Sequence, residues 1–200
     1  MSHLRIIARL STGLALLAVA GCAPAAVQEA PATIAATPAP EAAPAGANLA
    51  QFFENYDAAQ LSLSPQGKAY RGIRDADYGK WNDVSDEAAV ASQKLQQATA
   101  EAMRGSFDPK TMPADDALSF ELFNAQAARA ARLFPYRNHG YVFDQMNGAQ
   151  SQLPAFLINI HRVADVAEAE AYVSRIRGLG PVLDALSAQS AERAKKGIQP

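Results

Sequence analysis

Between Asn48 and Gly197, apolar residues recur every three or four positions, the repeat of helices that bury one face. Asn48 is placed to cap a helix in which Leu49, Phe52, Phe53, Tyr56 and Leu63 share this spacing. Ser64-Pro65, a cap followed by proline at the first turn, opens a short helix that stops near Gly72. From Ile73 to Val84 the repeat lapses and predicts a loop, with Tyr78 and Trp81 folded back as anchors. Ser85-Asp86-Glu87 starts a helix to about Arg104, closed by Gly105, with its acids at the positive end of the dipole. Asp108-Pro109 begins a turn. Pro113-Ala114-Asp115-Asp116 then opens a helix of about 20 residues that closes before Pro135. On it Leu118, Leu122, Ala125 and Arg129 form one stripe, flanked by Phe120, Phe123, Ala127 and Ala131.

The last third is punctuated in the same way. Ser151 is placed to cap a short helix in which Leu153, Phe156, Leu157 and Ile160 follow the i, i+3, i+4, i+7 rule. Asp165 and Glu168 make a capping-box-like start for a helix through Tyr172, Val173 and Ile176 to Gly178. Gly180-Pro181 predicts a restart, carrying Val182, Leu183 and Leu186 to Lys196, with Gly197 as C-cap. Only Tyr141 to Phe143 reads as extended. The pattern predicts an all-α fold, an irregular multi-helix array over residues 48–200, with no internal repeat.

Upstream of that body the pattern changes. Arg5 and Arg9 precede an uncharged Leu/Ala-rich run from Leu10 to Ala20, the layout of a secretory signal peptide and too short for a membrane span of roughly 20 apolar residues. Val19-Ala20-Gly21-Cys22 reads as a lipobox: small residues let extended chain enter a narrow protease site, and the Cys22 thiol accepts a diacylglyceryl group. Residues 1–21 are therefore expected to be removed, leaving Cys22 acylated. Cys22 is the single cysteine, so disulfides are excluded, and acylation would remove a thiol otherwise exposed to oxidation. Residues 22–47 are an Ala/Pro-rich linker holding Pro24, Pro31, Pro38, Pro40 and Pro44, a density that forbids continuous helix and favours extended chain. At roughly 3.1 Å per residue it would hold a folded body several tens of Å from lipid. Ala23 is not the aspartate associated with inner-membrane retention in enterobacteria, so the expected location is the outer membrane, facing the periplasm.

Charge adds an exclusion. Removing Arg5 and Arg9 leaves 16 basic against 20 acidic residues, a net charge of about −4. No basic patch suited to nucleic acid is present, and the partner expected is the membrane, reached through the Cys22 lipid.

Candidate chemistry is sparse. Of three histidines, His3 lies in the signal peptide, while His139 and His161 fall in different elements, outside any His-Glu-x-x-His or comparable zinc spacing. His139 reads as a solvated turn residue. His161, at the end of the Leu153–Ile160 helix, reads as structural, its imidazole interacting with the dipole. No nucleophile elbow or phosphate-cradling glycine loop occurs. Asp115-Asp116 reads as helix-start charge, and Arg129 with Arg132 as a solvated helix face. The sequence thus predicts no catalytic residue and no metal ligand in this chain.

One segment differs in texture. From Phe143 to Pro154 three glutamines, Asn147 and Ser151 lie between apolar stretches. Neutral amides there either satisfy the backbone of an irregular loop or hydrogen-bond a peptide-like ligand. In the second case Asn147, Gln150, Ser151, Gln152 and His161 would form a substrate-cleft wall.

Phe143 to His161, FDQMNGAQSQLPAFLINIH, resembles the hallmark of a bacterial family of unknown function, the one numbered 885 among such domains. Its members show a stretch like M-D-G-x-Q-S-x-L-P, then F-L and a histidine. Met146, Gly148, Gln150, Ser151, Leu153 and Pro154 match, while Asn147 stands where aspartate is usual. Phe52-Phe53, Tyr56, Ser64-Pro65, the Leu118–Leu122 helix and the closing Gly197-Ile198-Gln199-Pro200 also resemble the family, so the likeness spans about residues 48–200.

The resemblance implies exported lipoproteins about three times this length that look like helical zinc metallopeptidases of the carboxypeptidase type. Their zinc helix lies in the C-terminal half, where metal-bound water attacks the peptide carbonyl. Residues 48–200 would then be an incomplete N-terminal half, inactive alone and without the metal site, with zinc expected only in a full-length relative. That reading expects a truncated product with an exposed apolar face for the missing C-terminal half. The alternative is a complete small helical envelope lipoprotein acting as a binding or structural module.

Overall fold

The structure, a computed structural model, describes residues 48–198. The expected signal peptide, Cys22 and the linker lie outside the described residues. Six α-helices follow in order: α1 Leu49–Ser62, α2 Pro65–Tyr70, α3 Asp86–Ser106, α4 Ala114–Leu133, α5 Ala149–Asn159 and α6 Val166–Lys195. No strand occurs among the described residues. The fold class is all-α. Tyr141 to Phe143 is irregular rather than part of a sheet.

Local chemistry sets most boundaries. The side chains of Asn48, Ser64, Ser85 and Asp165 each accept an N–H from the first turn they precede, in α1, α2, α3 and α6. Such caps satisfy one of the orphan donors of a helix start and contribute about 1 kcal/mol each. A 3₁₀ turn at Pro109–Thr111, capped by Asp108, links α3 to α4, and another at Phe134–Tyr136 closes α4. At the far end Gly197 has φ +79°, and Ile198 N–H donates to Arg193 O at 3.1 Å while Gly197 N–H donates to Ala194 O at 2.9 Å. This is a Schellman ending that needs a residue free to take positive φ.

Three sequence expectations change. The α3 helix runs through Gly105 to Ser106. The α5 helix begins at Ala149 with Gly148 as its cap, so Ser151 lies inside the first turn and its Oγ donates to Gly148 O at 2.9 Å. The break expected at Gly178–Pro181 does not occur, and α6 is one 30-residue helix. An interior proline removes a backbone hydrogen bond and costs about 3 kcal/mol, yet the helix continues, with tertiary contacts on both sides of Pro181. Trp81 packs against Gly178, where a Cβ would stand 3.0 Å from its Cδ1. Beyond the proline, Gln189 Nε2 donates to Val84 O at 2.6 Å and Arg193 Nη1 donates to Gly140 O at 2.8 Å.

Two apolar cores result. Leu49 and Phe52 of α1, Ala100 and Met103 of α3, and Phe120, Phe123 and Ala127 of α4 form the first. The second joins Ala69 of α2, Tyr78 of the following loop and Phe156 of α5, with Trp81, Ile160 and Ala171 packed against it. On α4 the phenylalanine face is the buried one. Leu118 and Leu122, the large apolar residues of the other stripe, are 58% and 52% exposed.

Candidate functional site

The segment from Val142 to Gln152 folds on itself around the start of α5. Asp144 Oδ1 accepts the N–H groups of Met146 at 2.7 Å and Asn147 at 2.5 Å, an Asx turn built from a carboxylate. Those two bonds, with Asn147 the larger contributor, hold the Asp144 carboxyl below the usual carboxylate range. The Gln150 amide donates to Asp144 O, and Ala149 N–H donates to Val142 O at 3.0 Å. Gly148 sits against the Asp144 backbone: a Cβ there would overlap Asp144 N and stand 2.8 Å from Asp144 O. Only a residue without a side chain fits, although its φ of −67° is ordinary.

This turn uses some of its amides and leaves others outward. Gln150 and Ser151 are committed to the loop's own backbone. Asn147 and Gln152 are exposed, and their side-chain amides make no hydrogen bond to another described residue. Beside them Met146 is likewise exposed. With Gln145, which is exposed in the same turn and makes no side-chain hydrogen bond to another described residue, the outward set is three neutral amides and a thioether, able to bind backbone-like polar groups and apolar side chains but not to transfer a proton.

His161 stands apart from that group. It follows the C-terminus of α5, about 16 Å along the helix axis from its start at 1.5 Å per residue, and is buried at 5% exposure. The structure brings Asn147, Gln150, Ser151 and Gln152 together and does not bring His161 to them. Its neighbours are instead Tyr78, ring to ring at 4.3 Å, and Tyr172 at 5.2 Å.

Sequence reasoning missed the residue that fixes His161. Arg175, on α6, is fully buried. Its Nη1 meets His161 Nδ1 at 3.0 Å, its Nε donates to Lys80 O at 3.0 Å, and its Nη2 donates to Pro65 O at 3.3 Å. The guanidinium lies over the rings of Phe156 at 4.7 Å, Tyr78 at 5.3 Å and Trp81 at 5.8 Å, cation–π contacts that partly replace lost hydration. Among the described residues no carboxylate pairs with it. Guanidinium donates only, so Nδ1 is an acceptor and the proton of the neutral ring sits on Nε2, directed to Glu168 O at 3.3 Å. Burial first, and the Arg175 charge besides, hold the imidazole pKa below its ordinary value. Burial likewise pulls Arg175 down. The partner of buried His161 is thus a cation on α6 rather than the end of its own helix.

The surrounding loop is tied to the same cluster. The Tyr78 hydroxyl accepts Arg162 N–H at 2.8 Å and donates to Arg162 O at 2.9 Å. Trp81 Nε1 donates to Arg175 O at 2.8 Å. Glu168 Oε2 accepts Ala164 N–H at 2.6 Å, while its Oε1 pairs with Arg74 at 2.6 Å. Above these residues a groove of about 520 Å³ runs between the 74–80 loop and the first turns of α6.

The described residues do not fit a zinc ion. A zinc-bound imidazole needs a free ring nitrogen, and both of those in His161 are engaged. His139 is exposed in a loop after α4, with only Tyr136 stacked on it. No group of three His, Cys, Asp or Glu side chains among the described residues is disposed to hold a metal.

Residues 65–200 match the model of a family described as bacterial proteins of unknown function, DUF885. The match takes in α2 through α6 and the whole Phe143–His161 segment, and leaves out α1. No curated protein matches the chain. No solved structure matches it either.

Proposed function

From the chain's membership of the DUF885 family, we propose that it is the helical N-terminal segment of an exported, Cys22-anchored lipoprotein of metallopeptidase-like type, supplying a wall of a peptide-binding cleft rather than the chemistry. The observation that carries this reading is the turn at Asp144–Gln152. Asp144 and Gln150 tie its backbone from within, while Gln145, Met146, Asn147 and Gln152 remain outward.

Exposed apolar residues on regular stripes support packing against further helices. Leu118, Leu122 and Leu133 share one face of α4 at spacings of 4 and 11 residues. Val166, Val173 and Ile176 share one face of α6, and Val166 is 76% exposed. Such rows mark surfaces that a partner covers. No helix among the described residues is long and apolar enough to cross a membrane, so anchoring in this reading rests on lipid at Cys22.

Calorimetric titration with unstructured peptides tests the cleft-wall role. The expected result is binding by the wild-type chain that weakens about tenfold, 1.4 kcal/mol, in the Asn147→Ala, Gln152→Ala double variant. Equal affinity in the two proteins overturns the assignment.

A further inference from the structure

The His161–Arg175 contact is compatible with one protonation state. Nε2 already carries the proton it directs to Glu168 O, so a second proton can enter only at Nδ1. There it would face the N–H of a guanidinium 3.0 Å away, two like charges and two donors in a buried site. No nearby group can compensate. The Glu168 carboxylate attracts the imidazolium but is held by Arg74 and Ala164 N–H. Asp165 accepts Glu168 N–H at 2.8 Å as the α6 cap. Arg74 and Arg162 add positive charge, and Tyr78 and Tyr172 present neutral rings.

We propose that His161 and Arg175 form an acid-released latch: protonating His161 at Nδ1 expels the guanidinium and frees the Ile73–Trp81 loop and the start of α2 from α6. Arg175 joins these elements through Lys80 O and Pro65 O, and Trp81 holds Arg175 O in return. Tyr78 and Glu168, which touch His161, also line the groove between the loop and α6. Release therefore loosens the floor of that groove. The sign follows from proton counting. The latched state holds His161 neutral and binds fewer protons than the open state. The latch is thus intact above the unperturbed histidine value of about 6.5 and weakens as pH falls below it, with the open fraction rising about tenfold per pH unit until the latched-state value is reached.

Trp81 is the single tryptophan and reports on this cluster directly. Its emission, followed from pH 8 to 5, is expected to shift to the red in the wild-type chain as the indole N–H loses Arg175 O. His161→Asn, whose amide oxygen can accept from Arg175 without titrating, should abolish the shift, and His139→Asn should retain it. Should His161→Asn fail to fold, NMR titration of the wild-type imidazoles decides. The expected result is a His161 pKa below about 6.5 at the midpoint of the Trp81 transition. A flat wild-type profile, an unchanged shift in a folded His161→Asn, or a His161 pKa at or above the ordinary value overturns the latch.

Discussion

Arg175 reaches Nδ1 of His161 across 3.0 Å, and through that contact a cation on α6 fixes the tautomer of a histidine beyond the end of α5. The same guanidinium takes two backbone carbonyls, from the first residue of α2 and from the loop before α3. A planar fork of donors can serve three acceptors at once, and the aromatic walls of Tyr78, Trp81 and Phe156 suit its flat faces.

Lysine cannot reproduce that fork. Arg175→Lys is expected to leave two buried acceptors unmatched and to lower the unfolding free energy by about 2–4 kcal/mol. Urea denaturation at pH 7.5 measures this. A loss no greater than for Arg177→Lys, an exposed neighbour, would show that the buried contacts contribute little.

Gly148→Ala places a methyl group into the Asp144 backbone. Overpacking of this kind costs about 1–3 kcal/mol, and here it also opens the turn that presents Asn147. Thermal unfolding should register the loss of stability, and the peptide titration should register weakened binding. Unchanged values for both would mean that the turn tolerates an alternative path.

Acid should act in two separate windows. Asp57, Asp75, Asp77, Asp86 and Asp144 all have pKa values below the ordinary carboxylate range. The side chains of Arg71, Lys68 and Arg137 lower the first four, and backbone N–H groups lower Asp144. Groups depressed in the folded state contribute stability that is present above their unfolded values, about 3.9, and lost as pH falls further. A pH series of denaturation midpoints is expected to show one decline beginning below about 6.5, from His161, and a second below about 4. Removing the first with His161→Asn should leave the second in place.

Anchoring through Cys22 is tested by fractionation. The wild-type chain, expressed in a bacterium with its first 47 residues, should sediment with membranes and incorporate labelled fatty acid. Cys22→Ser should do neither. Equal membrane recovery of the two proteins would contradict lipid attachment.

Elements whose cause is local were readable in the sequence. Asn48, Ser64, Ser85 and Asp165 announce helix starts because cap and first turn are adjacent in the chain. The Asp144–Gln152 turn was recognisable by its amides for the same reason. Arg175 was not, because its acceptors lie 14, 95 and 110 positions away, and nothing in the helical repeat separates it from Arg177. Pro181 shows the converse. The rule for interior proline is local, yet α6 runs through it, flanked by contacts of Trp81, Gln189 and Arg193 that become visible only when the loops are folded back. For His161 the sequence points to the dipole of its own helix, which is near in the chain, whereas the partner it meets, Arg175, is not. The two stripes of α4 were separated correctly, but which one is buried depends on the phenylalanines meeting α1 and α3.

Peptide hydrolysis by the purified chain, assayed after dialysis against zinc and with the retained metal counted, bears most directly on the cleft-wall account. The account predicts no stoichiometric zinc and no cleavage, since both His161 nitrogens are engaged and the outward loop offers only neutral groups. Zinc retained at one ion per chain, together with cleavage that a chelator abolishes, would contradict it.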